Sequence, residues 1–506
     1  MAKILIIGGG VSGLSAGIYA QMNGHHAVVC ERHCVAGGNL TGWDRGEYHM
    51  DNCIHWLTGT NRATKTYKMW EELGVLGSVE IFQGESLYTC EYQGTTLSLY
   101  HDLHRIEQEM LAISPVDKKE IRSLIHAVRV MQGIFGIAGE KHDKKLTVTE
   151  MLFGIPALMK YYRLTTSELA VRFTHPLLRS FIRAFWGDDS GSLALLMVFA
   201  HYCGENGGIP SGSSCAMAER MTERLTSLGG TLLLGKEATK INHAGGKAES
   251  VTFSDGTTVG ADYVVLTSDP AVIFKKLLDS PMPKQLERKY HNKRLKRFSS
   301  YQCAFACDLA DPPFRGDFIF DAPVEYRSKL HLDQVIVREF SHEKTFAPDG
   351  KNILQTLSWC YEEDAEQFIA LRSRDREAYK KKKQEIATHL MHLLVEKFPQ
   401  LEDRLTCLDV WTPATYKRYT DSEMGSYMSF MLPSKMLPTR DSNRVPGLSN
   451  VILATQWQQI PGGLPIAAKG GKTAAETIDK LEQRAGIKAQ SRRKQKVYTR
   501  KIKELS

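Results

Sequence analysis

Six residues near the N-terminus constrain this chain more than any others. Gly8-Gly9-Gly10-Val11-Ser12-Gly13 follows the β-rich run Lys3–Ile7 and opens the helix-compatible stretch Leu14 to Met22. Gly24 closes that helix, and Ala27–Cys30 reads as a second strand that ends at Glu31. A GxGxxG turn between strand and helix, with an acid at the end of the next strand, predicts a βαβ dinucleotide-binding unit. Gly8 allows the tight turn, Gly10 lets the backbone approach a pyrophosphate, and Gly13 lets helix and strand pack closely. The helix N-terminus, through Val11 and Ser12, offers unpaired N–H groups and a partial positive charge to the phosphates. Glu31 is placed to accept hydrogen bonds from an adenosine ribose. A carboxylate there disfavours a 2′-phosphate and so argues against NADP as the tightly held nucleotide.

The rest of the chain must house what such a nucleotide acts on. Its 506 residues suffice for two or three domains of roughly 150 residues each. With 42% apolar and 24% charged residues, neither disorder nor a fibrous repeat fits. The net charge of +8 raises nucleic acid as a partner, but its placement removes that reading. Residues Arg484 to Ser506 hold nine basic side chains against one acid, Glu504, so this tail carries the whole excess and the body is balanced. The tail reads either as a solvated segment or as an anchor to anionic lipid, and peripheral membrane contact is expected only in the second case.

Ten cysteines form no CxxC pair, no Cys/His zinc spacing and no dense disulfide pattern, so no metal site is expected. Free thiols point to a reducing cytosol. The apolar run Ile4–Ile7 is too short for an export signal. The longest apolar run, Leu193 to Ala200, falls short of the ~20 residues that cross a bilayer. A cytoplasmic protein is expected, with membrane association left to the tail.

Further motifs extend the first. Glu31-Arg32-His33-Cys34-Val35-Ala36-Gly37-Gly38, followed by Asn39, resembles the E-x5-G-G continuation of the two-dinucleotide-binding-domain flavoproteins. Tyr48-His49-Met50-Asp51-Asn52-Cys53-Ile54-His55 is similar to their FDxGxH segment, with Cys53 where glycine is usual. Residues Ile209 to Pro270 resemble the second block of phytoene desaturase-like flavoproteins, through Gly229-Gly230, the Asp255-Gly256 turn and Ser268-Asp269-Pro270. Trp411-Thr412-Pro413-Ala414-Thr415-Tyr416-Lys417-Arg418-Tyr419, then Gly425, resembles TPxTxxRY…G. Finally Asn450–Thr455 leads through Gln456 to Pro461-Gly462-Gly463-Leu464-Pro465, a second strand-to-helix turn whose free N–H groups would face the flavin pyrimidine ring.

Four motifs in family order over roughly residues 3 to 480 identify the chain as resembling the phytoene desaturase, carotenoid isomerase and retinol saturase-like FAD oxidoreductases. The resemblance implies an α/β fold: a Rossmann-like FAD-binding domain of the glutathione-reductase-2 type with an inserted α+β substrate domain. The FAD domain would comprise 1–75, 205–285 and 441–483, the substrate domain 76–204 and 286–440, and the basic tail 484–506. It implies cofactor contacts at Gly8, Gly10, Val11, Ser12, Gly13, Glu31, Arg32, Gly37, Gly38, Asn39, Asp51, Ala238 (by its backbone, to adenine), Gln456, Gly462, Gly463, Leu464 and Pro465. With only one GxGxxG, the chain lacks the second nucleotide domain of NAD(P)H reductases, so its external electron donor or acceptor is unidentified.

Helical periodicity fills 102 to 203, where residues rich in Leu, Met and Phe read either as core or as the lining of a tunnel for a long apolar ligand. His55 is the one acid–base candidate, with a packed structural histidine as its other reading. The basic cluster Lys284 to Arg297 reads as ordinary surface or as a membrane-facing patch, and Lys380–Lys383 as a solvated helix face.

The activity implied is hydride exchange between flavin N5 and a C–C or C=C bond of an apolar polyisoprenoid or lipid-like substrate: desaturation, saturation or isomerisation. Two rivals keep the architecture. A flavin amine oxidase needs an aromatic-caged or polar amine pocket, of which the sequence carries no signature. A GDP-dissociation-inhibitor-like lipid chaperone has no need of the intact pyrophosphate site.

Overall fold

The structure, a computed structural model, describes the chain apart from residues 138–147, 185, 279, 331 and 506; the side chains of 148–153, 328, 329 and 487–505 also lie outside the description. Strand Lys3–Ile7 is the middle of a five-stranded parallel sheet. It pairs with His26–Cys30 on one side and Tyr263–Leu266 on the other, and Thr231–Leu233 and Val451–Leu453 are the outer strands. Ile4, Leu5 and Ile6 are fully buried, because a parallel sheet is covered on both faces and its strands are apolar throughout. Ile4, Ile6, Val29 and Val265 pack with residues of helices Val11–Met22, Ser213–Ser227 and Leu464–Leu505. The alternate residues Leu5, Val28, Val264 and Leu266 pack with Ile241, Val251 and Phe253 of a three-stranded antiparallel sheet. Helices Val11–Met22 and Leu464–Leu505 touch backbone to backbone: a Cβ on Gly471 would lie 2.4 Å from the Ser12 carbonyl oxygen.

A second sheet of seven strands is antiparallel except where Asp317–Asp321 runs parallel to Ser86–Tyr92. Its strands come from residues 86–100 and 299–411. Helix Arg376–Lys397 buries Ile386, Leu390, Leu393 and Leu394 against the Phe- and Cys-rich strands of this sheet. A helical block that includes Leu103–Ile113, Lys118–Phe135, Val148–Tyr162 and Ser192–Tyr202 follows strand Thr95–Tyr100 in the chain.

Local departures from the sequence reading have electrostatic or steric causes. Helix Ser213–Ser227 begins directly after Gly212, which takes a left-handed φ of +76° and reverses the chain. Lys289, in the basic cluster, is buried: its Nζ lies 2.9 Å from Asp441 and donates to the Gln458 carbonyl. Arg297 is held between Glu362 and Glu423. These two cations serve internal pairs and are not part of a free patch. Likewise Lys383 is only partly solvated, 3.7 Å from Asp409. All ten cysteines are free thiols, six of them buried. No helix among the described residues is long and apolar enough to cross a membrane. The readings of the tail rest largely on side chains outside the described residues.

Candidate active site

The carboxyl ends of the parallel strands converge on one large cavity of about 1320 Å³. Gly8, at φ +105°, turns the chain out of the first strand, and its amide donates to the Cys30 carbonyl at 2.8 Å. Gly13 is required by contact: a Cβ there would sit 1.8 Å from the Gly8 carbonyl oxygen. Around Gly10 the nearest atoms to such a Cβ belong to Gly37 and Gly38 at 3.7 and 3.8 Å, and no side chain caps the helix that follows. The helix N-terminus therefore opens onto the cavity with its N–H groups free, the geometry that receives phosphate.

Glu31 sits beside this turn, buried, its Oε2 accepting from Gly9 N at 2.7 Å and its Oε1 from His33 N at 2.9 Å. A carboxylate has about four lone-pair sites, so acceptor capacity remains for ribose hydroxyls. The family motif at 411–419 closes over this end. Tyr419 stacks on His33 with ring centroids 4.2 Å apart, and Arg32 donates to the Arg418 carbonyl.

At the far end, Thr455–Gln458 forms a turn whose Gln456 Oε1 accepts from Gly463 N at 3.0 Å. A Cβ on Gly462 would lie 2.2 Å from Ser429 Oγ and 2.7 Å from Gln456 Oε1, so any side chain there must displace these polar groups. The helix beginning at Leu464 points its N-terminus at the cavity. Asn39 donates to the Ser426 and Tyr427 carbonyls, which leaves its Oδ1 buried and without a partner among the described residues, as is Ser426 Oγ. An uncapped helix N-terminus, a second helix N-terminus on the same cavity, a buried carboxylate with lone pairs to spare and orphaned polar atoms fit a dinucleotide such as FAD.

Of the residues expected to hold cofactor, Gly8, Gly10, Val11, Ser12, Glu31, Arg32, Gly37, Gly38, Asn39, Ala238, Gln456, Gly462, Gly463, Leu464 and Pro465 all line this cavity, as does His55. Gly13 stands behind it as a packing residue. Asp51 is a correction: it lies off the wall, buried, where its carboxylate accepts from the amides of Cys53, Ile54 and Ser214 and from Ser214 Oγ. It ties the 51–54 turn to the start of helix Ser213–Ser227. Next to it, Asn52 Oδ1 accepts from Trp411 Nε1 and Tyr416 OH, so the motif at 411–419 also braces this turn. The Cys53 thiol, at the position where glycine was expected, is pushed far up by burial and stays protonated.

His55 has a partner that the sequence did not disclose. Its Nδ1 lies 3.9 Å from Asp317 Oδ2, and Asp317 is paired bidentately with Arg338, which also donates to the Ile54 and His55 carbonyls. Burial, then the Arg338 charge, lowers the His55 pKa below the ordinary imidazole value. Burial alone would raise Asp317, but Arg338 and His55 draw it below the usual carboxylate range. His55 is thus a neutral imidazole on the wall, oriented by an ion pair from the second sheet.

Beyond His55 the cavity becomes apolar. Met131 and Phe135, Leu158, and Leu193 with Met197 and Val198 supply its wall from three helices. Trp186, Trp359 and Tyr427 add aromatic rings, with Trp359 and Tyr427 at 5.6 Å between centroids. Asp317, Arg338, Trp359 and Tyr427 were not legible as site residues, because each stands alone in its segment without motif spacing.

The chain matches the model of the family described as flavin containing amine oxidoreductase over residues 11–479. It is 22% identical to a chloroplastic prolycopene isomerase of Daucus carota over 84% of this chain and 71% of that protein. It is 21% identical to a 4,4'-diaponeurosporene oxygenase of Staphylococcus aureus over 95% of this chain and 98% of that one. Among solved structures, an oxidoreductase from Methanosarcina mazei superposes with a TM-score of 0.60 at 16% identity, covering 94% of this chain and all of that one, a likeness of fold. The cavity geometry and the family match agree, and the chain belongs to the flavin containing amine oxidoreductase family as an FAD-dependent oxidoreductase.

Proposed function

We propose that the enzyme acts on carbon–carbon bonds of an apolar polyisoprenoid or lipid-like substrate, as a desaturase, saturase or isomerase. The observation that carries this reading is the continuity of one cavity: the glycine turns and Glu31 at one end open into a wall of Met131, Phe135, Leu158, Leu193 and Met197 at the other. Such a wall binds by area and shape and holds a long apolar chain without offering charge. The relatives named for carotenoid substrates support it. FAD, when bound, supplies hydride exchange at its N5. The residues Gly8, Gly10, Glu31, Asn39, Gln456 and Gly462–Pro465 would hold it, the helical wall excludes water and positions the reacting carbon, and His55 offers a neutral nitrogen that can take or return a proton.

The second reading is amine oxidation. Trp186, Trp359 and Tyr427 line the cavity and present the aromatic faces on which a substrate cation stacks. Organic extraction of the freshly purified protein followed by mass spectrometry separates the two: the first reading expects an apolar isoprenoid or lipid in amounts comparable to the flavin, and recovery of an amine in its place moves the assignment to the second.

An external electron donor or acceptor, a cytoplasmic location and contact of the tail with anionic lipid complete the proposal. Co-sedimentation with anionic vesicles at low salt, lost when 484–506 are deleted, is the expected result for the tail; unchanged sedimentation removes it as the anchor.

A further inference from the structure

His201 is a polar side chain set among apolar wall residues. On helix Ser192–Tyr202, residues Leu193, Met197 and His201 follow one another at four-residue spacing, which keeps them on one helix face, and all line the cavity. His201 therefore stands two turns, roughly 12 Å by the helical rise, from Leu193. Its ring stacks on Phe135 at 4.5 Å between centroids and lies 6.4 Å from Trp56, both also on the wall.

The protonation of this ring is fixed by its neighbours. The Asn61 backbone amide donates to Asn206 Oδ1 at 3.0 Å, which settles which end of the buried Asn206 amide is oxygen. Asn206 Nδ2 is then a donor, and it lies 2.9 Å from His201 Nδ1. Nδ1 must accept, so a neutral His201 carries its proton on Nε2. Burial keeps the ring neutral by lowering its pKa to about 4. Among the described residues Nε2 has no hydrogen-bond partner, and a donor that an apolar ligand strips of water is costly to leave unmade.

We infer that His201 Nε2–H is a specificity determinant that receives a hydrogen-bond acceptor of the substrate, so that the preferred substrate is an oxygen-bearing polyene or isoprenoid and not a pure hydrocarbon. This rests on the apolar-substrate reading above and narrows it. The acceptor would be a carbonyl, hydroxyl or ether oxygen carried on the chain at the level of Met131, Phe135 and Met197.

The test uses the oxidised holoenzyme and two probes in neutral detergent micelles: retinal, and the same polyene with a methyl group in place of its aldehyde. Binding is read from tryptophan quenching and from the shift of the flavin band. Wild type should bind the aldehyde about tenfold tighter, the effect of one desolvated hydrogen bond. His201→Phe, which keeps the ring stack, should bring the two affinities within about twofold by weakening the aldehyde alone. Asn206→Asp replaces the amide donor by an acceptor, reverses the tautomer and should also erase the preference while the histidine stays in place. Equal binding of both probes by wild type, or a preference that survives His201→Phe, overturns the inference and leaves the apolar-substrate reading intact. Failure of both polyenes to bind overturns that reading and the inference with it.

Discussion

The backbone amide of Gly9 donates to Glu31 Oε2 at 2.7 Å, so the carboxylate at the end of the second strand braces the glycine turn that follows the first. Glu31 therefore braces the turn, and the proposed cofactor contact places the ribose on its remaining lone pairs. Glu31→Gln removes the charge and one of two acceptors, and hydrogen bonds to charged groups are worth about 1.5–3 kcal/mol. FAD affinity should fall by roughly tenfold or more, measured as flavin retained through dialysis. Retention equal to wild type would show that the ribose is held elsewhere.

Two glycines of the same helix should respond differently to alanine. At Gly13 the new Cβ would be 1.8 Å from the Gly8 carbonyl oxygen, so backbone must move. At Gly17 it meets the side-chain ends Leu225 Cδ1 and Val29 Cγ2, each at 2.9 Å, which can yield. Gly13→Ala should give protein without flavin absorbance, whereas Gly17→Ala should keep its flavin at a cost of about 1–3 kcal/mol of stability, the usual range for overpacking.

The ion pair behind His55 is buried on both sides, with Asp317 and Arg338 each below a tenth exposed. Arg338→Met leaves the Asp317 carboxylate without its cation, which costs about 3–5 kcal/mol when a buried pair is broken. The double variant Arg338→Met/Asp317→Asn should recover much of that loss. Urea unfolding of the two proteins checks the difference; equal stability would mean that the pair is solvated.

His201 and His342 are each held at about 4 by burial, against about 6.5 in an unfolded chain. The native state binds fewer protons than the unfolded state between these values. Their contribution is fully present above about pH 6.5 and is lost as pH falls toward 4, at up to about 1.4 kcal/mol per pH unit per group. His342 stacks on Phe82 at 4.4 Å, and its Nε2 is buried with no partner among the described residues. His342→Phe should therefore flatten the fall of Tm between pH 6.5 and 5; an unchanged slope would place the titration elsewhere.

The nucleotide half of the site was legible because its chemistry is local. Turns that need Gly8 or Gly13, and an acid at a strand end, leave fixed spacings within a few dozen residues. The substrate half is assembled from distant segments. His55 meets Asp317 and Arg338 from a sheet that begins at residue 86, and His201 depends on Asn206 and Asn61, so the pairs share no spacing that a linear reading can detect. Asp51 was misread for a related reason: a carboxylate within a cofactor motif can serve the turn that carries the motif. The helical block of 103–202 was visible as periodicity, but only packing shows which of its apolar residues face a cavity.

The most direct test of the account is anaerobic mixing of the oxidised holoenzyme with a panel of carotenoids, retinoids and primary amines while the flavin absorbance is followed. Bleaching or perturbation of the flavin by the polyenes and not by the amines is the predicted result. Reduction by the amines alone, with no spectral response to any polyene, would contradict it.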